Sequence, residues 1–284
     1  MGAWDGWIGR EDRKADRVSP GLLARWCATL DRAAPDGYAV PQGLHWCLCL
    51  PDAATALLGP DGHPARDESP ASFLPPVPLP RRMWAASKVD FVSPIAADAL
   101  IERVSRVVSV KEKQGASGPL VFVDVEHETL ADDALAVREM QSLVYREAAP
   151  AGAAPVPPLP GHGAFDPAIW DVVRTLTPGE PLLFRYSALT FNSHRIHYDL
   201  PYAQDEEGYR GLVVHGPLMA TLLLDLARRE LGENALTQFA FRAVSPAICG
   251  EPLHLALRRA EEELVLGAYA NDGRQIVAAS ARAE

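Results

Sequence analysis

"GPLMATLLLDLARREL", residues 216–231, is the stretch whose reading decides the fold. Pro217 suits a first helical turn, where its missing N–H has no partner to lose. Apolar residues then dominate every side of the segment until Asp225. A helix of that kind is buried on most of its sides, unlike one lying on a surface. Three strand-like runs follow, "PLHLALRR" (252–259), "ELVLGAYA" (263–270) and "RQIVAASARA" (274–283), separated by short turns such as "NDG" (271–273). One buried helix followed by antiparallel strands predicts a sheet curled around that helix, an α+β arrangement.

Upstream, "EPLLFRYSALT" (180–190) reads as a further strand. Before it lies "AAPAGAAPVPPLPGHG" (148–163), too rich in Pro, Ala and Gly to form a core and suited to an extended connector. The chain is thereby expected to divide into residues 1–147, the 148–163 linker and residues 164–284, the two parts being distant structural copies. In the first part, "SPGLLARWCATLDRAAPDG" (19–37) predicts a helix. Ser19 is its N-cap, Pro20 its first residue, and Leu22, Leu23, Trp26 and Leu30 its apolar face; Pro35, Asp36 and Gly37 end it. A Pro-rich stretch, "SFLPPVPLPRRMW", covers 72–84. "VFVDVEHE" (121–128) alternates cleanly, with Val121, Val123 and Val125 on one face. "ERVSRVVSVKEK" (102–113) and "AVREMQSLVYRE" (136–147) are its flanking strands, and "QGASG" (114–118) is a hairpin loop.

Composition narrows the class of function. The 284 residues carry 27 Lys and Arg against 37 Asp and Glu, a net charge of −10. That balance argues against nucleic acid, whose binding rests on clustered cations. No run of about 18 apolar residues suggests a membrane span. The charged N-terminus lacks the apolar core of a secretory signal. Cys27, Cys47, Cys49 and Cys249 fit neither a zinc site nor a disulfide framework, so buried free thiols and a cytoplasmic location are expected.

Chemistry concentrates in "FNSHRIHYD" (191–199) and "EGYRGLVVHGPLMA" (207–220), which hold three of the eight histidines. His194, His197 and His215 admit three readings. They could ligate a metal, although no HExxH pattern or nearby cysteine supports this. They could be hydrogen-bonding loop residues. Or one of them could move a proton, while Gly216, at the free N-terminus of the buried helix, offers its N–H to a thioester oxygen as that oxygen gains charge.

"SALTFNSHRIHYDLPYA" (187–203) followed by "VVHGPL" (213–218) resembles the MaoC-like hydratase/dehydratase group of the hotdog superfamily. "RRMWA" (81–85), "GPLVFVDVEHE" (118–128) and "VYRE" (144–147) extend the likeness to the two-part subfamily of mesaconyl-C4-CoA hydratases, itaconyl-CoA hydratases and hydroxyacyl-thioester dehydratases type 2. The resemblance implies a double hotdog whose N-terminal half is degenerate, lacking the His-Gly helix start and serving to cover the acyl group. It implies reversible hydration of an enoyl-CoA thioester, with His197 as proton carrier and Gly216 as oxyanion donor. Asn192 falls where the family has a catalytic aspartate, and His194 where it has an asparagine. A carboxamide positions by hydrogen bonds and cannot act as a base. Arg185 and Arg195 are the candidates for a substrate carboxylate, and Asp199 for orienting His197. His194, Tyr198, Val214 and His215 complete the expected substrate contacts. The expected partner is a small acyl-CoA, which is the substrate, with no metal, flavin or nicotinamide; homodimerisation is compatible with this. A hotdog thioesterase and a non-catalytic acyl-thioester binding protein are the rival readings.

Overall fold

The computed structural model describes residues 2–35, 39–115, 118–148 and 152–283. In chain order the elements are β1 (Glu11–Arg17), α1 (Pro20–Thr29), β2 (Arg81–Phe91), β3 (Leu100–Gly115), β4 (Gly118–Ala131) and β5 (Ala134–Arg146). Then come β6 (Val172–Leu176), α2 (Glu180–Leu189), α3 (Gly216–Leu231), β7 (Leu236–Ala243), β8 (Leu253–Arg259), β9 (Leu264–Ala270) and β10 (Gln275–Ala283). The strands form one antiparallel sheet in the order β1-β3-β4-β5-β2-β7-β10-β9-β8-β6. That order reads alike from either end, so the second five strands repeat the topology of the first. The two sets meet edge to edge where β2 pairs with β7, from Ala86 opposite Arg242 to Asp90 opposite Gln238. Joining them there removes two exposed sheet edges.

Ten consecutive residues of α3, Leu218 to Ala227, are buried, as its all-round apolarity requires. The single charge among them, Asp225, is held by Arg174, Arg228 and Arg229 at 2.9–3.0 Å, which satisfies an otherwise costly buried carboxylate. The core around α3 is shared by both halves and includes Trp26, Leu44, Trp46 and Phe241. Val121, Val123 and Val125 belong to a second cluster, closed by Val77 and Leu79 of the Pro-rich stretch. That stretch is thus a cover for the sheet up to Pro80, after which β2 begins. Part of the expected linker is also tied down, since Val156 bridges to Tyr209 and Gly161 N–H bonds to Asp272.

Ser19 caps α1 as expected, its hydroxyl accepting from Leu22 N–H. Two expectations need correction. Helix α1 stops at Thr29, and Asp31 at φ +50° turns the chain away, earlier than Pro35; Asp36 and Gly37 lie outside the described residues. "EPLLFRYSALT" is the helix α2. Its nearly continuous apolar run conceals a helical spacing, because Leu183, Tyr186 and Leu189 are the residues buried, and short apolar runs do not separate strand from helix. Packing against α1 then settles the choice. Gly115 and Gly118 pair across the β3–β4 turn; Ala116 and Ser117 of the expected hairpin loop lie outside the described residues. Among the described residues no helix is long and apolar enough to cross a membrane, and all four cysteines are free.

Candidate active site

The loop after α2 is built by its own polar residues. Phe191, at φ +47°, turns the chain, and Asn192 N–H bonds back to the Ser187 carbonyl at 2.9 Å. The Asn192 Oδ1 accepts the His194 N–H at 2.9 Å, a local turn that Asn favours. A single 3-10 turn, Arg195–His197, then buries the His197 ring to 7% exposure. Its Nδ1 lies 2.7 Å from the Val213 carbonyl oxygen. A carbonyl only accepts, so Nδ1 carries the hydrogen and Nε2 keeps its lone pair. The ring stacks on His215, with centroids 3.5 Å apart, and His215 immediately precedes Gly216 at the start of α3. A Cβ built on Gly216 would meet nothing within 4 Å. The helix N-terminus is therefore approachable beside an imidazole with a free lone pair, a pairing suited to moving a proton next to a developing oxyanion.

Burial sets the charge state of this cluster. It pushes the His197 imidazole down to about 3, against the opposing effect of its hydrogen bond to the Val213 carbonyl. It pushes His194 down to about 3 as well, helped by the neighbouring His63. His215 is lowered well below its ordinary value, again by burial first. All three rings are neutral near pH 7. A neutral His197 can accept a proton, and the imidazolium it becomes is acidic enough to return it.

The structure separates the expected site residues into several groups. His197, His194, Asn192 and Gly216 lie together. Tyr198 is exposed at the edge of the loop. Arg185 lines a cleft of about 580 Å³ between α1 and α2, along with Arg17, Arg25 and Phe191. Three expectations are corrected. Arg195 braces the loop: it holds Asp199 Oδ2 at 2.7 and 3.0 Å, donates to the Pro60 carbonyl and stacks on Tyr202. Asp199 is engaged by that arginine, so the Val213 carbonyl, and not Asp199, orients His197. Val214 and His215 are each 1% exposed. Val214 is core, and His215 bonds Ser187 Oγ at 2.8 Å, supporting the His197 ring from behind.

One part of the site comes from the other half. Asp61 and His63 sit on a loop whose backbone docks on the 191–199 loop, through Arg195 N–H to the Asp61 carbonyl at 2.9 Å and Ser193 Oγ to the Gly62 carbonyl at 2.6 Å. The His63 ring lies 4.1 Å from that of His194. Burial raises the Asp61 carboxyl, but hydrogen bonds and charge from His63 outweigh it and hold the group at about 2. "PDGHP" (60–64) has the residues of a Pro-Asp-Gly turn and was not among the expected site segments. Its signal was a histidine directly after that turn, but the partner loop is 131 residues away. Donor atoms of Asp61, His63 and His194 lie within 4.8 Å of one another. As placed, Asp61 and His63 form a hydrogen-bonded pair beside the ring of His194.

Residues 43–249 match the family described as hydroxyacyl-thioester dehydratase type 2. Over 280 residues, 98% of this chain and 96% of the other, the sequence is 39% identical to the mesaconyl-C(4)-CoA hydratase of Chloroflexus aurantiacus. The fold superposes on a MaoC-like dehydratase from Phytophthora capsici with a TM-score of 0.71 at 11% identity, over 97% of this chain and 96% of that one. It also superposes on a double-hotdog protein from Mycobacterium tuberculosis with a TM-score of 0.59 at 15% identity, covering 97% and 96%. At such identities the structures speak for the fold, and the sequence matches speak for the family. The chain belongs to the hydroxyacyl-thioester dehydratase type 2 family, hydro-lyases on an α+β double hotdog.

Proposed function

We propose that this chain reversibly hydrates the C5 dicarboxylyl thioester mesaconyl-C4-CoA or itaconyl-CoA, giving citramalyl-CoA. The substrate class rests on the near full-length likeness to the Chloroflexus hydratase. The reaction rests on one geometric observation: His197, its Nδ1–H fixed by Val213, stacks beside the open start of α3.

In the forward direction, His197 Nε2 takes a proton from water as the water oxygen bonds to the β-carbon. The π electrons move toward the thioester oxygen, which becomes enolate-like and accepts from the Gly216 N–H, aided by the helix dipole. The imidazolium then gives its proton to the α-carbon, so one water is added and His197 is restored. Asn192 and His194 hold the water or thioester in place. Tyr198 and Arg185 are the remaining donors for the acyl and CoA portions, since Arg195 is engaged with Asp199. The chemistry draws on no metal or organic cofactor. We further place the protein in the cytoplasm, as a single-chain unit able to pair as a homodimer.

The test is mass-spectrometric analysis of wild type and His197→Ala against mesaconyl-C4-CoA, itaconyl-CoA and crotonyl-CoA. Addition of one water to the C5 thioesters by the wild type alone is the expected result. Hydration of crotonyl-CoA only would move the substrate to linear chains. Release of free CoA would replace the reading with a thioesterase.

A further inference from the structure

The hydration reading leaves Asp61 and His63 without a task, although they are built into the site with care. Their loop is fixed at four points: Arg195 N–H on the Asp61 carbonyl, Arg195 Nη1 on the Pro60 carbonyl at 2.9 Å, Ser193 Oγ on the Gly62 carbonyl, and Gly62 itself. Gly62 has φ +87°, and a Cβ there would collide with the Ser193 carbonyl oxygen, so only glycine allows this approach. Asp61 binds His63 twice, Oδ1 accepting from the His63 backbone N–H at 3.0 Å and Oδ2 lying 3.1 Å from Nδ1. An ionised carboxylate only accepts. In the neutral ring the hydrogen is therefore on Nδ1 and Nε2 is an acceptor, the same tautomer that Val213 imposes on His197. The ring of His63 lies 4.1 Å from His194, whose ring lies 5.5 Å from His197. Three imidazoles thus run from the N-terminal half into the catalytic loop.

Besides His197 Nε2, the loop has no free acceptor at the position of the family's carboxylate. Asn192 stands where the family's carboxylate is expected, and its Oδ1 is engaged by His194 N–H. Resting on the hydration reading, we propose that His63 is a second catalytic residue, its Nε2 accepting a hydrogen bond from the nucleophilic water, with Asp61 as its positioning residue. The water then has two acceptors. One O–H proton goes to His197 and on to the α-carbon. The other stays on oxygen, held by His63, and becomes the hydroxyl hydrogen of the product. His63 ends in the protonation state in which it began. In the reverse direction His63 holds the substrate hydroxyl while His197 protonates the departing oxygen. The N-terminal half is by this account part of the catalytic apparatus as well as its cover.

The experiment uses the full chain carrying His63→Gln or Asp61→Asn, with thermal unfolding measured alongside. His63→Gln is expected to lower kcat by about 10²-fold, the size of one lost positioning contact, with KM and the unfolding midpoint little changed. Asp61→Asn gives a smaller loss in the same direction. Imidazole ¹⁵N spectra supply a readout that a merely structural contact would not move. They should show His63 protonated on Nδ1 in the wild type, with the tautomer shifted in Asp61→Asn and the Nε2 resonance displaced by butyryl-CoA. A His63→Gln enzyme with wild-type kcat overturns the proposal. If the wild type releases CoA instead of adding water, the hydration reading fails separately, and an unchanged rate of that cleavage in His63→Gln overturns the dyad. If the wild type turns over none of these thioesters, a His63 Nε2 resonance indifferent to butyryl-CoA overturns it.

Discussion

Each half of the molecule has a short edge strand, a helix opened by a Pro-Gly-containing turn, and then a glycine that starts a second turn of helix. In the N-terminal half that glycine is Gly43, before the single turn Leu44–Cys47; in the C-terminal half it is Gly216, the first of the sixteen residues of α3. Gly43 sits at φ +97° with Leu224 Cδ1 3.0 Å from where a Cβ would be, and the four residues after it are all buried. Gly216 faces open space. A helix N-terminus attracts a developing anion only when it is long enough to sum its peptide dipoles and open enough to be reached. The N-terminal copy meets neither condition. Its glycine serves packing against α3, and α3 fills the core for both halves. One helix is enough for burial, and one open helix start is enough for the proposed chemistry.

Substitutions at matching points should separate the two halves. The largest contrast is between histidines. His197→Ala should lower turnover by about 10²–10⁴-fold, the range of a lost general acid–base group. His45→Ala, in the N-terminal turn, should lower stability and leave turnover per folded molecule near normal. Equal losses of turnover in the two variants would break the contrast.

The glycines come next. Gly216→Ala has room and should keep its unfolding midpoint while losing about 10²-fold in kcat, because a methyl then stands before the N–H donor. Gly43→Ala should do the reverse, costing about 1–3 kcal/mol from its positive φ and the contact with Leu224, with kcat retained. Urea unfolding and steady-state kinetics on both variants decide it. Asn192→Ala should fall below Gly216→Ala in effect, since it removes a turn and one positioning contact. A rate equal to wild type would reduce Asn192 to a structural residue.

The smallest effect is on pH dependence. Glu139, buried in the N-terminal half and accepting from Ser87 and Trp46, is raised by burial to about 7. Its neutral form is the stable one, so its contribution is full below about pH 4.5 and is lost as pH rises through 7. Glu139→Gln should flatten that alkaline loss, at most about 1.4 kcal/mol per pH unit. The buried imidazoles work in the opposite sense. Burial lowers His45 and His197 to about 3 and His127 to about 4. Their contribution is full above about pH 6.5 and is lost as pH falls toward those values. Unfolding midpoints between pH 5 and 8, in wild type and Glu139→Gln, check both limbs.

Much of the molecule was legible along the chain. The all-round apolarity of α3, the period-two pattern of Val121, Val123 and Val125, and the Ser19-Pro20 cap are local signals, and each produced the element it predicts. The spacing of His197 and Gly216 likewise drew attention to residues that the fold brings together. Less was legible where local signals are weak. β1 reads "EDRKADR" and is mostly exposed, so an edge strand there carries no apolar period. α2 is an apolar run too short to declare itself, and only its contact with α1 settles its form.

The sequence by itself determined which segments must be buried and which loop gathers the histidines of the proposed site, because hydrophobic period, caps and turn residues act within a few positions of the chain. Only the tertiary structure decided which groups share a site. The β2–β7 pairing, the carbonyl that orients His197 and the arrival of Asp61 and His63 beside His194 depend on contacts made across 16 to more than 130 residues. The free energy of such contacts belongs to the closed, dry core and to no single stretch of chain.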